Sequence, residues 1–152
     1  MVKFILDDLT GDAIAQLLQQ HLEEMYSTSP SESVHALDLS ALKQPCIRFW
    51  SLWDNEQLAG CGALKRLCHN HYEIKSMRIA LSYRQQGLGA KILHHLVADA
   101  AQQGGKQISL ETGSMAFFAP ARNLYSKFGF QICPPFADYQ PDPNSIFMTK
   151  QL

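Results

Sequence analysis

A chain of 152 residues is long enough for one domain that buries roughly 70% of its unfolded surface and too short for two ordinary ones. Its apolar fraction of 46% and charged fraction of 18% exclude a disordered or collagen-like chain. A formal net charge of −1 supplies no basic field of the kind that non-specific nucleic-acid binding depends on, although a local cluster such as Arg78, Arg84 and Lys91 can still hold a small polyanion.

In chain order, Val2 to Leu6 reads as a first strand that meets Asp7 and Asp8 at once, without the apolar run and cleavage site of a signal peptide. No segment is long and apolar enough to span a membrane, so no membrane partner and a cytoplasmic location are expected. Thr10 or Asp12 can cap a helix whose Ile14, Leu17, Leu18, Leu22 and Met25 share one face. A polar loop, Ser27 to Ser33, carries the helix-disfavouring Pro30 and precedes a short apolar patch at Leu37, Leu39 and Leu42 that suits a brief second helix. From Cys46 the chain becomes aromatic and β-prone. Ile47 to Trp53, a turn at Asp54-Asn55-Glu56, and Leu58 to Leu67 read as a hairpin, with Tyr72 to Ala80 as the next strand of the meander. In that fourth strand Ile74 stands three positions before Met77, which puts two apolar residues on opposite faces unless the strand bulges between them.

Leu88, Ile92, Leu93, Leu96, Val97 and Ala100 then repeat at helical spacing until Gly104-Gly105 stops the run. Ile108 to Thr112 reads as a strand, Phe117 to Phe128 as a helix, and Phe130 to Cys133 and Ser145 to Thr149 as closing strands. A meander flanked by helices and followed by alternating strands and helices predicts one α/β (α+β) domain over 1–152, a mixed sheet with helices on both faces. Cys46, Cys61, Cys68 and Cys133 have no paired spacing, which suits reduced thiols better than disulfides or zinc. His69 with His71, and His94 with His95, lack a second ligand at metal spacing, so no metal is expected.

Between the fourth strand and the long helix lie Arg84-Gln85-Gln86-Gly87-Leu88-Gly89-Ala90. Two glycines there let the backbone approach a ligand with its N–H groups outward, and the helix that follows begins with unpaired donors and a positive dipole end. A pyrophosphate is the natural guest, with Arg84 as a fork-shaped cation at the rim. An ordinary strand-to-helix turn is the plain alternative. A P-loop would need Lys followed by Ser or Thr after the second glycine, where this chain has Ala90, Lys91 and Ile92. The dinucleotide fingerprint would need a third small residue where Ile92 stands, and an early βαβ unit.

This segment resembles the Arg/Gln-x-x-Gly-x-Gly/Ala signature of the GNAT superfamily of N-acetyltransferases. Asn123-Leu124-Tyr125-Ser126-Lys127-Phe128-Gly129-Phe130 resembles the second signature of that family, in the right order. Stretches such as Leu110-Glu111-Thr112-Gly113-Ser114 and Asp142-Pro143-Asn144-Ser145 are similar to a small single-domain bacterial branch. The resemblance implies a mostly antiparallel central sheet of six or seven strands, with the bulged fourth strand splayed from the fifth so that acetyl-CoA lies between them. It implies that Arg84 to Ala90 hold the pyrophosphate, that backbone groups at Met77 and Ile79, beside Arg78, bond the pantetheine arm, and that an N–H there polarises the thioester carbonyl. Asn123 would bond an amide of the cofactor.

An amine acceptor is protonated at neutral pH, so a carboxylate on the splayed strand is a plausible proton acceptor, direct or through water. Glu73 is that candidate, with a surface glutamate as the plain alternative. Glu111 on the next strand is the fallback, with a structural role at the turn Thr112-Gly113-Ser114 as its alternative. By resemblance Tyr125 returns a proton to the leaving thiolate, a transfer uphill by only ~2 kcal/mol from reference values of about 10 and about 8.5. Glu24, Ser33, His35, Glu111 and Thr112 are candidates for acceptor contacts, and the irregular run from Phe136 to Asn144 for a loop over the acceptor side. Trp50 and Trp53 either pack or line the acceptor pocket. No activated nucleophile is apparent, which favours direct attack on acetyl-CoA by a small primary amine in a ternary complex. An acetyltransferase acting on a protein or peptide amine, and an inactive CoA-binding regulatory module, are the alternatives; homodimers are common in similar proteins.

Overall fold

The computed structural model describes residues 1–152. In chain order it comprises β1 (Val2–Leu6), α1 (Asp12–Thr28), α2 (Leu39–Leu42), β2 (Ile47–Asp54), β3 (Gln57–Cys68), β4 (His71–Ile79), α3 (Leu88–Gln102), β5 (Gln107–Gly113), α4 (Ala119–Lys127), β6 (Gln131–Cys133) and β7 (Ser145–Gln151). The strands form one seven-stranded sheet in the order β1-β2-β3-β4-β5-β7-β6. Every neighbouring pair is antiparallel except β4 and β5, because α3 carries the chain across one face between them. No helix is long and apolar enough to cross a membrane.

Two apolar clusters follow from the two faces of this sheet. Leu88, Ile92, Leu93, Leu96 and Ala100 of α3 join Leu64, Tyr72, Ile74, Ile108, Leu110 and Met148 of the strands, with Tyr125 of α4. On the opposite face Ile14, Leu17 and Leu18 of α1 and Leu42 pack on Phe49, Cys61 and Ala63. Helix α3 sits close on β3 because that strand has glycines beneath it. A Cβ at Gly62 would lie 2.8 Å from Leu96 Cδ1, and one at Gly60 2.9 Å from Ile92 Cδ1.

The expected bulge is present. Cys61 pairs with Arg78 and Ala63 with Lys75, so Ser76 and Met77 stand opposite the single residue Gly62, and Ser76 adopts a φ of 53°. Strand β4 pairs with β5 only from His71↔Gln107 to Ile74↔Leu110. Past the bulge the two strands part, while β5 continues to pair with β7 as far as Gly113↔Ser145. This is the splay between the fourth and fifth strands.

Several local expectations are corrected. Gly11, not Thr10 or Asp12, occupies the N-cap of α1 and no side chain caps it, because the Thr10 hydroxyl donates to Asp8 at 2.7 Å. The helix expected from Phe117 opens as a 3₁₀ turn over Ala116–Phe118, and the α-helix starts at Ala119 with Pro120 in its first turn, where the missing N–H costs no hydrogen bond. Trp50, by contrast, packs as expected, against the α3 cluster, and its indole N–H donates to Asp99 of α3 at 2.8 Å.

Candidate active site

The splay opens into a cavity of about 550 Å³. It runs from the turn before α3, between β4 and β5, to α1 on one side and α4 on the other. At its entrance Gln85 (φ 62°) and Gly87 (φ 78°) both take left-handed backbone conformations, and no side chain caps α3. The first N–H groups of a 15-residue helix are therefore left without intrahelical partners at the cavity edge. Arg84, Gln85, Gly87, Leu88 and Gly89 line this end, with Met77 and Ile79 of β4 beside them.

Not every residue of the two signatures reaches the cavity. The Gln86 side chain turns back to the Ser82 carbonyl at 3.3 Å, and neither Gln86 nor Ala90 is in the lining. Asn123 is exposed and also lies outside it. Helical spacing is the reason: Ala121, Leu124 and Tyr125 form the face of α4 that meets the cavity, and Asn123 falls to the side. Arg84 is partly committed elsewhere, donating to Glu24 at 3.4 Å.

Deeper in the cavity, Glu73, Lys75 and Glu111 share one face of the sheet, opposite the α3 cluster. Glu73 is 3% exposed. Its Oε2 accepts from the Tyr139 hydroxyl at 2.5 Å and from Lys75 Nζ at 3.3 Å, while Lys75 also donates to the Tyr139 oxygen at 2.9 Å. Tyr139 arrives on the loop between β6 and β7, packed on Phe136 and Phe147. The irregular run from Phe136 to Asn144 therefore borders the cavity and closes on Glu73.

Glu111 is differently placed. Burial pushes its carboxyl up to about 7; the neighbouring charges of Glu73 and Asp142 add to this, and the Ser145 hydroxyl and Lys75 oppose it. Across the cavity Tyr125 is 8% exposed, and burial followed by the Glu111 charge pushes its phenol up to about 12. Cys61, the buried thiol, is pushed up to about 12 by burial and stays protonated, so it is no nucleophile.

The candidate acceptor contacts form the wall toward α1. Burial works to raise the Glu24 carboxyl, but Arg78 at 3.0 Å and Arg84 at 3.4 Å outweigh it and hold it below its usual range. The Ser33 hydroxyl donates to Asp142 at 2.6 Å, which ties the loop after α1 to the loop before β7. His35 packs edge-on to Tyr139 at 4.9 Å, and burial with the nearby Lys75 charge lowers its pKa. Thr112 is buried in the lining. Sequence reasoning missed His21, Lys75 and Ser76, all of which border this cavity, and placed Tyr139 and Asn144 only as members of the loop from Phe136 to Asn144. Of the three missed, only Lys75 carried a local signal, two positions from Glu73 on the same strand face.

Set against known proteins, the chain matches the model of the acetyltransferase (GNAT) family over residues 12–130. It is 54% identical to the uncharacterised N-acetyltransferase YsnE of Bacillus subtilis (strain 168) over 147 residues, which cover 97% of each chain. Among solved structures it is similar to one assigned as an acyl-CoA N-acyltransferase of Klebsiella pneumoniae, with a TM-score of 0.81, 28% identity, and 100% of this chain and 98% of that one covered. It also shares its fold with a GNAT family acetyltransferase of Elizabethkingia anophelis solved with acetyl-CoA bound (TM-score 0.71, 18% identity, 99% and 98% covered). The parted parallel strands, the uncapped helix after Gly87 and these matches lead to one conclusion: the chain belongs to the acetyltransferase (GNAT) family and is an acyltransferase.

Proposed function

We propose that the chain transfers the acetyl group of acetyl-CoA to the primary amine of a small molecule by direct attack while both are bound. One observation carries this reading: a single cavity joins the donor-rich start of α3, the parted strands, Glu111 and Tyr125. Its volume of about 550 Å³ lies within the range of small-molecule sites. The fold neighbour from Elizabethkingia anophelis holds acetyl-CoA, which supports the same donor here.

On this reading the pyrophosphate rests on the amides that open α3, with Arg84 beside it. The pantetheine arm follows Met77 and Ile79 into the splay, where β4 has no β5 partner. Acetyl-CoA supplies the activated carbonyl carbon. Two protons leave the acceptor nitrogen, an N–C bond forms, and the C–S bond breaks. Glu111 accepts a nitrogen proton, directly or through water, because a base near 7 is half ionised at neutral pH and still proton-seeking. Glu73 is less suited, since the acceptor lone pairs of its Oε2 are already engaged by Tyr139 and Lys75. Tyr125 gives its proton to the departing thiolate, and the second nitrogen proton passes to water. The protonated state of Cys61 supports direct attack over a covalent acyl-enzyme.

Calorimetry with CoA and acetyl-CoA, followed by free-thiol release with a panel of amines, tests the proposal. Binding heat with thiol release for at least one small amine is expected. Absence of heat from either cofactor rejects the activity, and release only with peptide or protein amines rejects the small acceptor.

A further inference from the structure

Three residues that line the cavity each bury a polar atom without a hydrogen-bond partner: Arg78 its Nε, His21 its Nδ1 and Ser76 its Oγ. Arg78 is 7% exposed, so an unused guanidinium N–H there is not satisfied by bulk water. A buried donor of this kind is costly unless a ligand completes it. Strand alternation fixes which ligand it meets. Met77 and Ile79 pack with the α3 cluster, on the side where the helix receives the cofactor, whereas Arg78 between them projects toward α1 and donates to Glu24 at 3.0 Å. His21 is on the same helix, one turn before Glu24, and feels the Arg78 charge. Ser76 stands at the bulge, two positions before Arg78.

The charges on this wall do not cancel. Arg78 and Arg84 share one oxygen of one carboxylate, Glu24 Oε2, at 3.0 and 3.4 Å. Without the cofactor two cations face one anion, and with the pyrophosphate drawing Arg84 the unpaired donor left on this wall is the Nε–H of Arg78. At the other end of the same cavity Lys75 offsets Glu73 at 3.3 Å, which leaves Glu111 as the carboxyl that suits an ammonium. Lys75 and Glu111 each follow by one residue the last pair, Ile74↔Leu110, so Glu111 lies about three residues short of Arg78, or about 10 Å along an ideal strand and less with the bulge and the reach of the arginine. The cavity thus presents a guanidinium at one acceptor end and the Glu111 carboxyl at the other.

We infer that the acceptor is an amine that also carries a carboxylate, and that Arg78 receives this carboxylate as a specificity-determining residue, with the Ser76 hydroxyl and His21 imidazole beside it. The inference rests on the reading of the cavity as an acetyltransferase site. The planar guanidinium presents N–H groups in the spacing of two carboxylate oxygens, so amines whose carboxylate is missing or neutralised leave the Nε–H unpaired and are selected against.

The test uses the whole chain with saturating acetyl-CoA and a panel of α- and ω-amino acids, each paired with its carboxamide and its decarboxylated amine. Thiol release is expected to favour the carboxylate member of a pair by at least about 30-fold in kcat/KM. Arg78→Met and Arg78→Lys should reduce that preference to within about threefold, while the Kd for acetyl-CoA measured by calorimetry stays within about twofold of wild type. Glu24→Gln, which frees both arginines, should lower KM for the carboxylate acceptor severalfold. Equal rates within the pairs, an undiminished preference in a folded Arg78 variant, or a carboxylate-blind KM in Glu24→Gln would each overturn the inference. Loss of acetyl-CoA affinity on changing Arg78 would also overturn it, by assigning the side chain to the cofactor. Should no amino acid be turned over, thermal shift of the acetyl-CoA complex decides: no added stabilisation by any carboxylate-bearing amine rejects it. Failure of the wild type to bind acetyl-CoA is a different result and rejects the underlying activity instead.

Discussion

Glu73 and Glu111 stand on neighbouring strands facing the same cavity, yet their surroundings fit them for different work. Tyr139 and Lys75 hold the Glu73 carboxylate in place by hydrogen bonds to one of its oxygens. Burial leaves Glu111 titrating at about 7. With Glu111 as base, kcat/KM for the amine should rise about tenfold per pH unit below 7 and flatten above it until another group titrates. Glu111→Gln should remove that limb and lower kcat by roughly 10²–10⁴-fold with acetyl-CoA affinity retained. A limb that survives in Glu111→Gln and vanishes in Glu73→Gln would return the role to Glu73. As the proposed acid, Tyr125 faces a harder task than its residue type suggests. A phenol at about 12 against a thiol near 8.5 makes the transfer ~5 kcal/mol uphill, and the thiolate, desolvated in the same cavity, narrows that gap. Tyr125→Phe should therefore slow turnover roughly 10–100-fold, within the usual range for lost acid catalysis, while calorimetry finds acetyl-CoA bound as in wild type. Wild-type turnover in that variant would reject the acid role.

At the scale of elements, the turn into α3 leaves unpaired N–H donors at the cavity edge through backbone conformation alone. A Cβ at Gly87 would meet nothing within 4 Å, so a larger residue fits in space, but the φ of 78° does not suit a branched one. Gly87→Val must re-route the turn and swing the amides of Leu88 and Gly89 off target. In thermal melts at about 100 times the wild-type Kd, acetyl-CoA should stabilise wild type by about 2.7 kcal/mol and the folded variant by almost nothing. Equal stabilisation would separate the turn from cofactor binding. This turn was legible in the sequence because its signals are local: two glycines, a helical repeat, and an odd spacing of Ile74 and Met77 that betrayed the bulge. What stayed hidden is non-local. Nothing near Glu73 in the chain announces Tyr139, which reaches it across a separation of 66 residues. The pairing of α1 with β4 through Glu24 and Arg78 spans 54 residues and needs the folded sheet. Asn123 lies outside the cavity lining for the opposite reason, since a motif match says nothing about which face of α4 turns inward.

For the molecule as a whole, keeping the cavity ready couples stability to pH through two groups on different walls, His21 of α1 and Glu111 of β5. Burial, with the Arg78 charge second, lowers His21 from 6.5 to about 4. Between those values the unfolded chain binds more protons than the native one, so stability rises with pH, and ~3 kcal/mol is lost as pH falls from 6.5 to 4. Glu111 runs the other way. Its carboxyl is raised from 4.5 to about 7, so the native state binds the extra proton in that window and ~3 kcal/mol is lost as pH rises through it. Over pH 4.5 to 6.5 the two slopes oppose, and the wild-type melting temperature carries little trace of either. Glu24 and Asp99, held below their usual range by arginines that outweigh their burial, act at the acid end in every variant and drop out of differences from wild type. Glu111→Gln should therefore unmask the histidine, with a Tm that climbs relative to wild type from pH 4.5 to 7 by about 6–12 °C for ~3 kcal/mol in a chain of this size. His21→Asn should unmask the carboxylate, with a Tm that falls relative to wild type between pH 4 and 6.5. Difference curves that stay flat across both windows would show that neither group is perturbed in the folded protein, and would remove the argument for Glu111 as base along with the stability coupling.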